Sequence, residues 1–384
     1  MSEQWTLDPA AEFPILNRMV FFNHAGVGPI SGRAAAALRD YAQQAANRAY
    51  VKAGWYRRAN EVKKLTATMI GAAGPHEIAF VPNTSTGISM VAKGIDWRRG
   101  EHVVITSVEY PANRYPWEDL RRFGVEVIEV PQRPDGAIDV QDVCEAVTDR
   151  TRVVSISHVQ WASGCRVDLR PISDTVHRVG GHMCVDAIQS MGTMPIDVDA
   201  AGIDFLSADG HKWLLSPEGC GVFYCREELI TRLHPNIVGW MNMMNATDWG
   251  NYQFEFERTA QRFEPGSYNI PGILALGASM ELLLEVGLAH VWSRIERLTA
   301  RLVDGLHAKG YRVFSPRGEG QRSGIVSFEP PSAGGNKAAP SIENIVADLE
   351  AQDIVIAIRE GRLRASPHFY NTDEQVDRLI DLLP

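Results

Sequence analysis

The sequence predicts an α/β protein: a large domain on a mostly parallel seven-stranded sheet, covered on both faces, followed by a smaller α+β C-terminal domain. Three observations carry this. Between residues 77 and 225 short β-branched runs alternate with helix-length segments, the pattern of parallel strands joined by crossover helices. The runs are apolar at consecutive positions, as in HVVIT (102–106) and VVSIS (153–157), which suits strands buried on both sides. After residue 270 the alternation gives way to long helical stretches enclosing short strand-like pieces.

In chain order, the segment 1–32 precedes the alternation and is expected to pack with the small domain and the crevice between the domains. The large domain takes 33–270. Its strands are expected at 77–81, 102–107, 126–130, 152–158, 182–186, 204–208 and 221–224. Helices are expected at 41–58, 85–94, 116–123 and 171–179. The small domain takes 271–384. It is read as one long helical run (271–306), strands at 312–314 and 324–328, a helix at 341–352, a strand at 354–358 and a last helix at 373–383. PPSAGGNKAAP (330–340) reads as a surface loop.

At 384 residues the chain exceeds one typical domain. Its 45% hydrophobic and 22% charged residues exclude disordered and fibrous classes. Lys plus Arg is 38 against 47 for Asp plus Glu, a net charge of -9, so no global attraction to nucleic acid or anionic membrane is expected. The most apolar region, 273–291, is interrupted by Glu281 and Glu285, so no membrane-spanning helix is expected. The N-terminus, MSEQWTLDPAAE, lacks the apolar core of a secretory signal. Five cysteines, an odd number without CxxC spacing, fit reduced thiols and a cytoplasmic protein. The histidines show neither HxxxH nor HExxH spacing, so no metal site is expected.

Three segments carry candidate chemistry. In SADGHKWLLSPEGCGVFY (207–224), Lys212 follows a strand and a tight Gly-His step, with Trp213 placed to cover it. Burial disfavours an ammonium, so a lysine held there titrates low and attacks an aldehyde. An ordinary surface lysine fits that segment equally well. Asp186 ends the strand HMCVD and precedes AIQ. A carboxylate at the carboxyl end of a buried strand faces the crevice where such sheets bind ligands, and there it needs a cationic partner such as a protonated pyridine. By itself it is equally a helix cap, and Gln189 an ordinary polar residue. In NTSTGISMVAKG (83–94) a strand runs through small hydroxyl residues into a helix, whose first amides converge on an anion.

Taken together, these segments resemble the class V branch of the fold type I pyridoxal-phosphate (PLP) enzymes. That branch holds cysteine desulfurases, selenocysteine lyases, isopenicillin N epimerase, kynureninase and aminotransferases. The resemblance runs from FFNHAGVGP to FYNTDEQVDRLIDLL, and the pair DAIQ…SADGHKW is its specific motif. It implies that Lys212 forms a Schiff base with the cofactor and moves protons at the substrate Cα. It implies that Asp186 pairs with the pyridinium nitrogen and Gln189 with the phenolic oxygen. Thr84, Ser85 and His211 match the phosphate contacts, and Tyr110 the ring over the cofactor face. Ser267 and Trp240 match residues that relatives donate from the partner subunit of a homodimer. Arg364 matches the clamp on the substrate α-carboxylate. His24 and Ala25 lie in the N-terminal segment that lines the substrate side.

Three departures stand out. No cysteine follows Cys225, so a C-terminal persulfide cysteine is missing. Asp209 stands where relatives often have a phosphate-binding serine, so its carboxylate is expected to point elsewhere or to bind through water. Trp161 stands where desulfurases have asparagine. Transamination and C–S or C–Se β-elimination both remain open, with epimerisation and a non-catalytic PLP fold as alternatives. A dinucleotide oxidoreductase is disfavoured: Pro29 interrupts the glycines at 26, 28 and 32, and no strand ending in an acid comes about 20 residues later.

Overall fold

The computed structural model describes residues 8–331 and 341–384. Its strands are β1 (Val20–Phe21), β2 (Ile78–Val81), β3 (His102–Thr106), β4 (Glu126–Val130), β5 (Thr151–Ser157), β6 (His182–Asp186), β7 (Phe205–Asp209) and β8 (Gly221–Cys225). In the small domain they continue as β9 (Arg312–Val313), β10 (Val326–Glu329), β11 (Ile354–Val355), β12 (Ala357–Arg359) and β13 (Arg362–Ala365). The large sheet has seven strands in the order β2-β8-β7-β6-β5-β3-β4. Neighbours from β7 to β4 are parallel, and β8 runs antiparallel to both β7 and β2. Each of the seven lies within one residue of its expected ends.

The continuous apolar runs are explained by burial on two faces. Along β3, Val103 and Ile105 join one apolar layer while Val104 joins the other. β3, β7 and β8 are buried at every position, and within the large sheet only the edge strand β4 carries exposed residues. Helix Thr84–Gly94 is capped by Asn83, whose side chain accepts from the Thr86 amide at 2.9 Å. A Cβ at Gly87 would lie 2.2 Å from Ser207 Oγ. Glycine there lets the helix sit directly on β7, which brings its N-terminus to the carboxyl ends of β6 and β7.

Three helical expectations are corrected. The stretch 41–58 is not one helix: Gly32–Arg48 ends at Ala49, and Trp55–Ile70 starts after Gly54. Ala49, Lys52 and Gly54 all hold positive φ, which a right-handed helix excludes. The stretch 116–123 is a single turn, Tyr115–Glu118, followed by a tighter 3-10 turn, Asp119–Phe123. The run 271–306 is two helices, Ile270–Val286 and Leu288–Ala308, bent by 80° at Gly287, whose φ of 85° breaks the ladder. The first packs on Gly32–Arg48 and Trp55–Ile70, the second on β9 and the last helix, Asp373–Leu382. The expected domain limit at 270/271 thus falls at the start of the first helix, whereas the packing changes at Gly287.

The small sheet is antiparallel, β12-β13-β10-β9. The expected strand 354–358 divides into β11 and β12, and β13 was not expected at all. A two-residue turn, Glu360-Gly361, joins β12 to β13 with φ of 49° and 70°. β1 pairs in parallel with β11, and Asn23 bridges Ser366, so the N-terminal segment is fastened to the small domain. Most of the expected loop at 330–340, residues 332–340, lies outside the described residues. Among the described residues no single helix is long and apolar enough to cross a membrane.

Candidate active site

A cleft of about 470 Å³ opens at the carboxyl ends of β6 and β7, between the two domains. This is where an open parallel sheet places its ligands. Lys212, Asp186, Gln189, Thr84, Ser85, Tyr110, His211, Ala25 and Arg364 all line it. Sequence reasoning placed these nine in the site, and the fold brings them together from segments more than 300 residues apart.

Lys212 is 7% exposed. Burial drives its ammonium pKa down and Arg364 adds to the fall, while Asp186 pulls it back up. The amine lies 5.3 Å from the centroid of the Tyr110 ring. The main chain beside it is held from above: Gly28 N–H donates to His211 O at 2.8 Å, and a Cβ at Gly28 would lie 2.5 Å from Lys212 O. Asp186 is buried, which raises its carboxyl pKa against the Ile188 amide at 3.0 Å and the Lys212 charge. Gln189 donates to Ala25 O at 3.1 Å and accepts the Trp213 indole N–H at 2.8 Å. Trp213 does not cover Lys212 as expected. It lies fully buried, with its ring close to Gly324 and His368.

Thr84 Oγ1 accepts the Asp209 amide at 3.0 Å, and the first turn of its helix presents N–H groups to the cleft beside Ser85. The Asp209 carboxylate accepts its neighbour Gly210 N–H at 2.7 Å and lies 2.9 Å from His211 Nδ1, without the alignment of a hydrogen bond. It is therefore engaged within its own loop.

Arg364, on β13, is 1% exposed. It donates to Trp161 O at 2.7 Å and to Asn23 Oδ1 at 3.3 Å, and its Nε has no acceptor. Burial pushes its pKa down to about 9, and Arg359 adds to this. A buried guanidinium held only by neutral oxygens is stable chiefly when an anion joins it. Trp161 lies edge-on to Tyr110 at 5.4 Å and donates to Val108 O at 3.2 Å.

Two residues expected to serve the partner's cleft lie away from this one, and one expected residue is corrected. Trp240 and Ser267 lie outside it: Trp240 packs on Trp249 at the surface, and Ser267 lines a separate groove with Gly219 and Glu264. His24 does not line the substrate side. It is fully buried, with Nδ1 2.8 Å from Ser366 O and Nε2 2.5 Å from the Tyr370 hydroxyl. Burial and His368 hold it neutral, so it fastens the N-terminal segment to the small domain.

Sequence reasoning missed Glu109, Asn23 and Arg359. Glu109 Oε1 accepts from Thr106 Oγ1 at 2.8 Å and Gln160 Nε2 at 3.0 Å; Oε2 accepts from Asn113 Nδ2 at 2.9 Å and Ser157 Oγ at 2.5 Å. This buried carboxylate anchors the loop that carries Tyr110. VEYPAN alone does not mark it: of its donor residues only Asn113 lies in that stretch, while Thr106 precedes it and Ser157 and Gln160 come 48 and 51 positions later.

A family model described as Aminotransferase class-V matches residues 29–379. The chain belongs to that family. A relative named probable cysteine desulfurase, from Methanothermobacter thermautotrophicus, is 30% identical over 98% of this chain and 97% of its own. An uncharacterized aminotransferase, YcbU, from Bacillus subtilis is 29% identical over 82% of this chain and 80% of its own. The apo cysteine desulfurase from Thermococcus onnurineus NA1 superposes with a TM-score of 0.87 at 25% identity, covering 99% of this chain and 97% of that one. This class V chain is thus a PLP-dependent enzyme, and its cleft fits that cofactor: an unusually buried amine, a buried acid, an aromatic face and an open helix N-terminus surround one cavity.

Proposed function

We propose that this class V enzyme binds PLP through Lys212 and removes the Cα proton of an α-amino acid, with cysteine-type C–S cleavage as the outcome. The observation that carries this is the Arg364 guanidinium, buried with a free Nε in the same cleft as Lys212 and Asp186. PLP supplies an aldehyde for the amine and a ring that withdraws electrons from Cα. Asp186 would keep the ring nitrogen protonated. Thr84, Ser85, the helix N-terminus and His211 would hold the phosphate, and Tyr110 would face the ring. Gln189 would donate to the phenolic oxygen. Arg364 takes the substrate carboxylate in a fork, which orients the Cα–H bond. Lys212 Nζ, whose ammonium form burial disfavours, would receive that proton.

The relatives named cysteine desulfurase support C–S cleavage. Transamination is the second reading, favoured by the cleft itself: none of Cys144, Cys165, Cys184, Cys220 and Cys225 lines it, so it offers no thiol to receive sulfur. Burial pushes the Cys184 thiol up to about 12, which keeps it protonated and inert. All five cysteines are free, which supports a reducing, cytoplasmic setting.

Ile237, Val238, Trp240, Trp249, Tyr252 and Phe254 are all exposed within residues 237–254, with the Trp240 and Trp249 rings 5.5 Å apart, which supports a homodimer. Ser267 and Trp240 would then reach the partner's cleft. The deciding experiment incubates the holoenzyme with single amino acids and identifies products. Pyruvate with sulfide from cysteine establishes C–S cleavage. A 2-oxo acid with aminated cofactor establishes transamination, and a racemised amino acid would establish epimerisation. Arg364→Lys keeps the charge but loses the fork, so amino-acid binding should weaken by roughly ten- to a hundredfold (about 1.5–3 kcal/mol), read by titrating the cofactor band. Normal binding in that variant would remove Arg364 from the substrate site.

A further inference from the structure

We propose that Arg359 forms a second anion subsite in this cleft, so that among α-amino acids the enzyme favours those, S-substituted cysteines included, whose side chain ends in an acidic group. The inference rests on the reading of Arg364 as the α-carboxylate clamp. In the β12–β13 hairpin, Ala357 pairs with Arg364 and Arg359 pairs with Arg362. Paired residues of an antiparallel ladder share a face, and so do residues two apart on one strand. Arg359, Arg362 and Arg364 therefore project from the same side of the hairpin, with Arg359 and Arg364 diagonal neighbours roughly 7–8 Å apart.

The three arginines are not equivalent. Arg362 is satisfied: its Nε donates to Glu329 at 2.7 Å, and its guanidinium lies 3.7 Å from the Phe314 ring centroid. Arg364 lines the cleft, and its buried Nε has no acceptor among the described residues. Arg359 also lines the cleft, but its one hydrogen bond goes to the Ile358 carbonyl at 2.7 Å. Among the described residues no carboxylate lies within ion-pair distance of it. The cleft's own acids are placed elsewhere. Asp186 couples to Lys212, Asp209 lies against His211, and Glu218 is carried by the large-sheet loop that leads into β8. The small-domain wall of the cleft thus presents two cations with unfilled donors and no anion. Two guanidinium forks spaced in this way match a molecule with two acidic groups three or four carbons apart. One is the α-carboxylate on Arg364, the other the distal group on Arg359.

Succinate and butyrate test this without turnover, because neither has an amine to react. Calorimetric titration of the holoenzyme should show succinate binding at least tenfold more tightly than butyrate. Arg359→Gln should remove most of that preference, and Arg359→Lys should keep part of it. Aspartate or glutamate should likewise shift the cofactor absorption at lower concentration than alanine or leucine. Equal binding of succinate and butyrate by the wild type, or an unchanged preference in Arg359→Gln, would overturn the subsite. If no amino acid of any kind perturbed the cofactor band, the amino-acid reading itself would fail, whatever succinate did.

Discussion

Lys212→Ala is expected to abolish turnover, by about a thousandfold or more, because in the proposed mechanism one side chain both holds the cofactor and carries the Cα proton. The buried position of the amine is what makes both roles available near neutral pH: burial lowers its pKa, so a substantial fraction is neutral. Borohydride treatment of the wild-type holoenzyme should fix the cofactor to the peptide containing Lys212. The alanine variant should fix none and lose the coloured band. Folding is not expected to suffer, since removing a costly buried cation relieves a desolvation penalty. A variant that stayed coloured and kept a borohydride-fixable cofactor would place the amine elsewhere.

Asp186→Asn is the second large effect. In the proposed mechanism the carboxylate at the end of β6 keeps the ring nitrogen charged, and an amide cannot, so kcat should fall about a hundredfold to a thousandfold while the proposed amino-acid binding through Arg364 persists. A pH experiment on the cofactor-free protein separates this from misfolding. Asp186 raises the Lys212 pKa against burial and Arg364. Replacing it removes the raising contribution, so the pKa drops further. The neutral amine is the reactive form and is populated above its pKa, so the pH profile for cofactor uptake should move to lower pH in Asp186→Asn. A shift to higher pH would contradict the coupling of the two groups. The sign for stability also differs from that of a paired acid. Burial is the largest influence on Asp186 and raises its pKa in the folded state, so its ionised form costs stability above the unfolded value. The asparagine variant should therefore melt no lower than the wild type at neutral pH.

How much of this was legible varied with the range of the interaction. The large sheet could be read because each buried strand is marked by its own residues: Val103, Val104 and Ile105 must be apolar when both faces are covered. Asp186 and Lys212 could be placed because each sits at or just beyond the end of such a strand. β13 could not be read, because RLRA alternates charge with apolar residues and the Glu360-Gly361 turn before it is two residues long. Missing that hairpin hid Arg359 from the site. The bend at Gly287 was equally hidden, since apolar periodicity continues through it and only the packing of the two helices on different domains shows the break.

His24 marks the other limit. Its neighbours in the chain, Asn23 and Ala25, do line the cleft. Its own side chain turns inward because Tyr370 and Ser366, more than 340 positions later, supply its hydrogen bonds. By itself, the sequence determined the layered sheet, the order of its strands along the chain, and the amine, acid and phosphate-binding turn, since burial and local turn geometry act on consecutive residues. Only the tertiary structure decided that β1 pairs with β11, that Glu109 anchors the Tyr110 loop, and that two arginines share one wall of the cleft. Those facts depend on contacts between distant segments, whose partners no local pattern specifies.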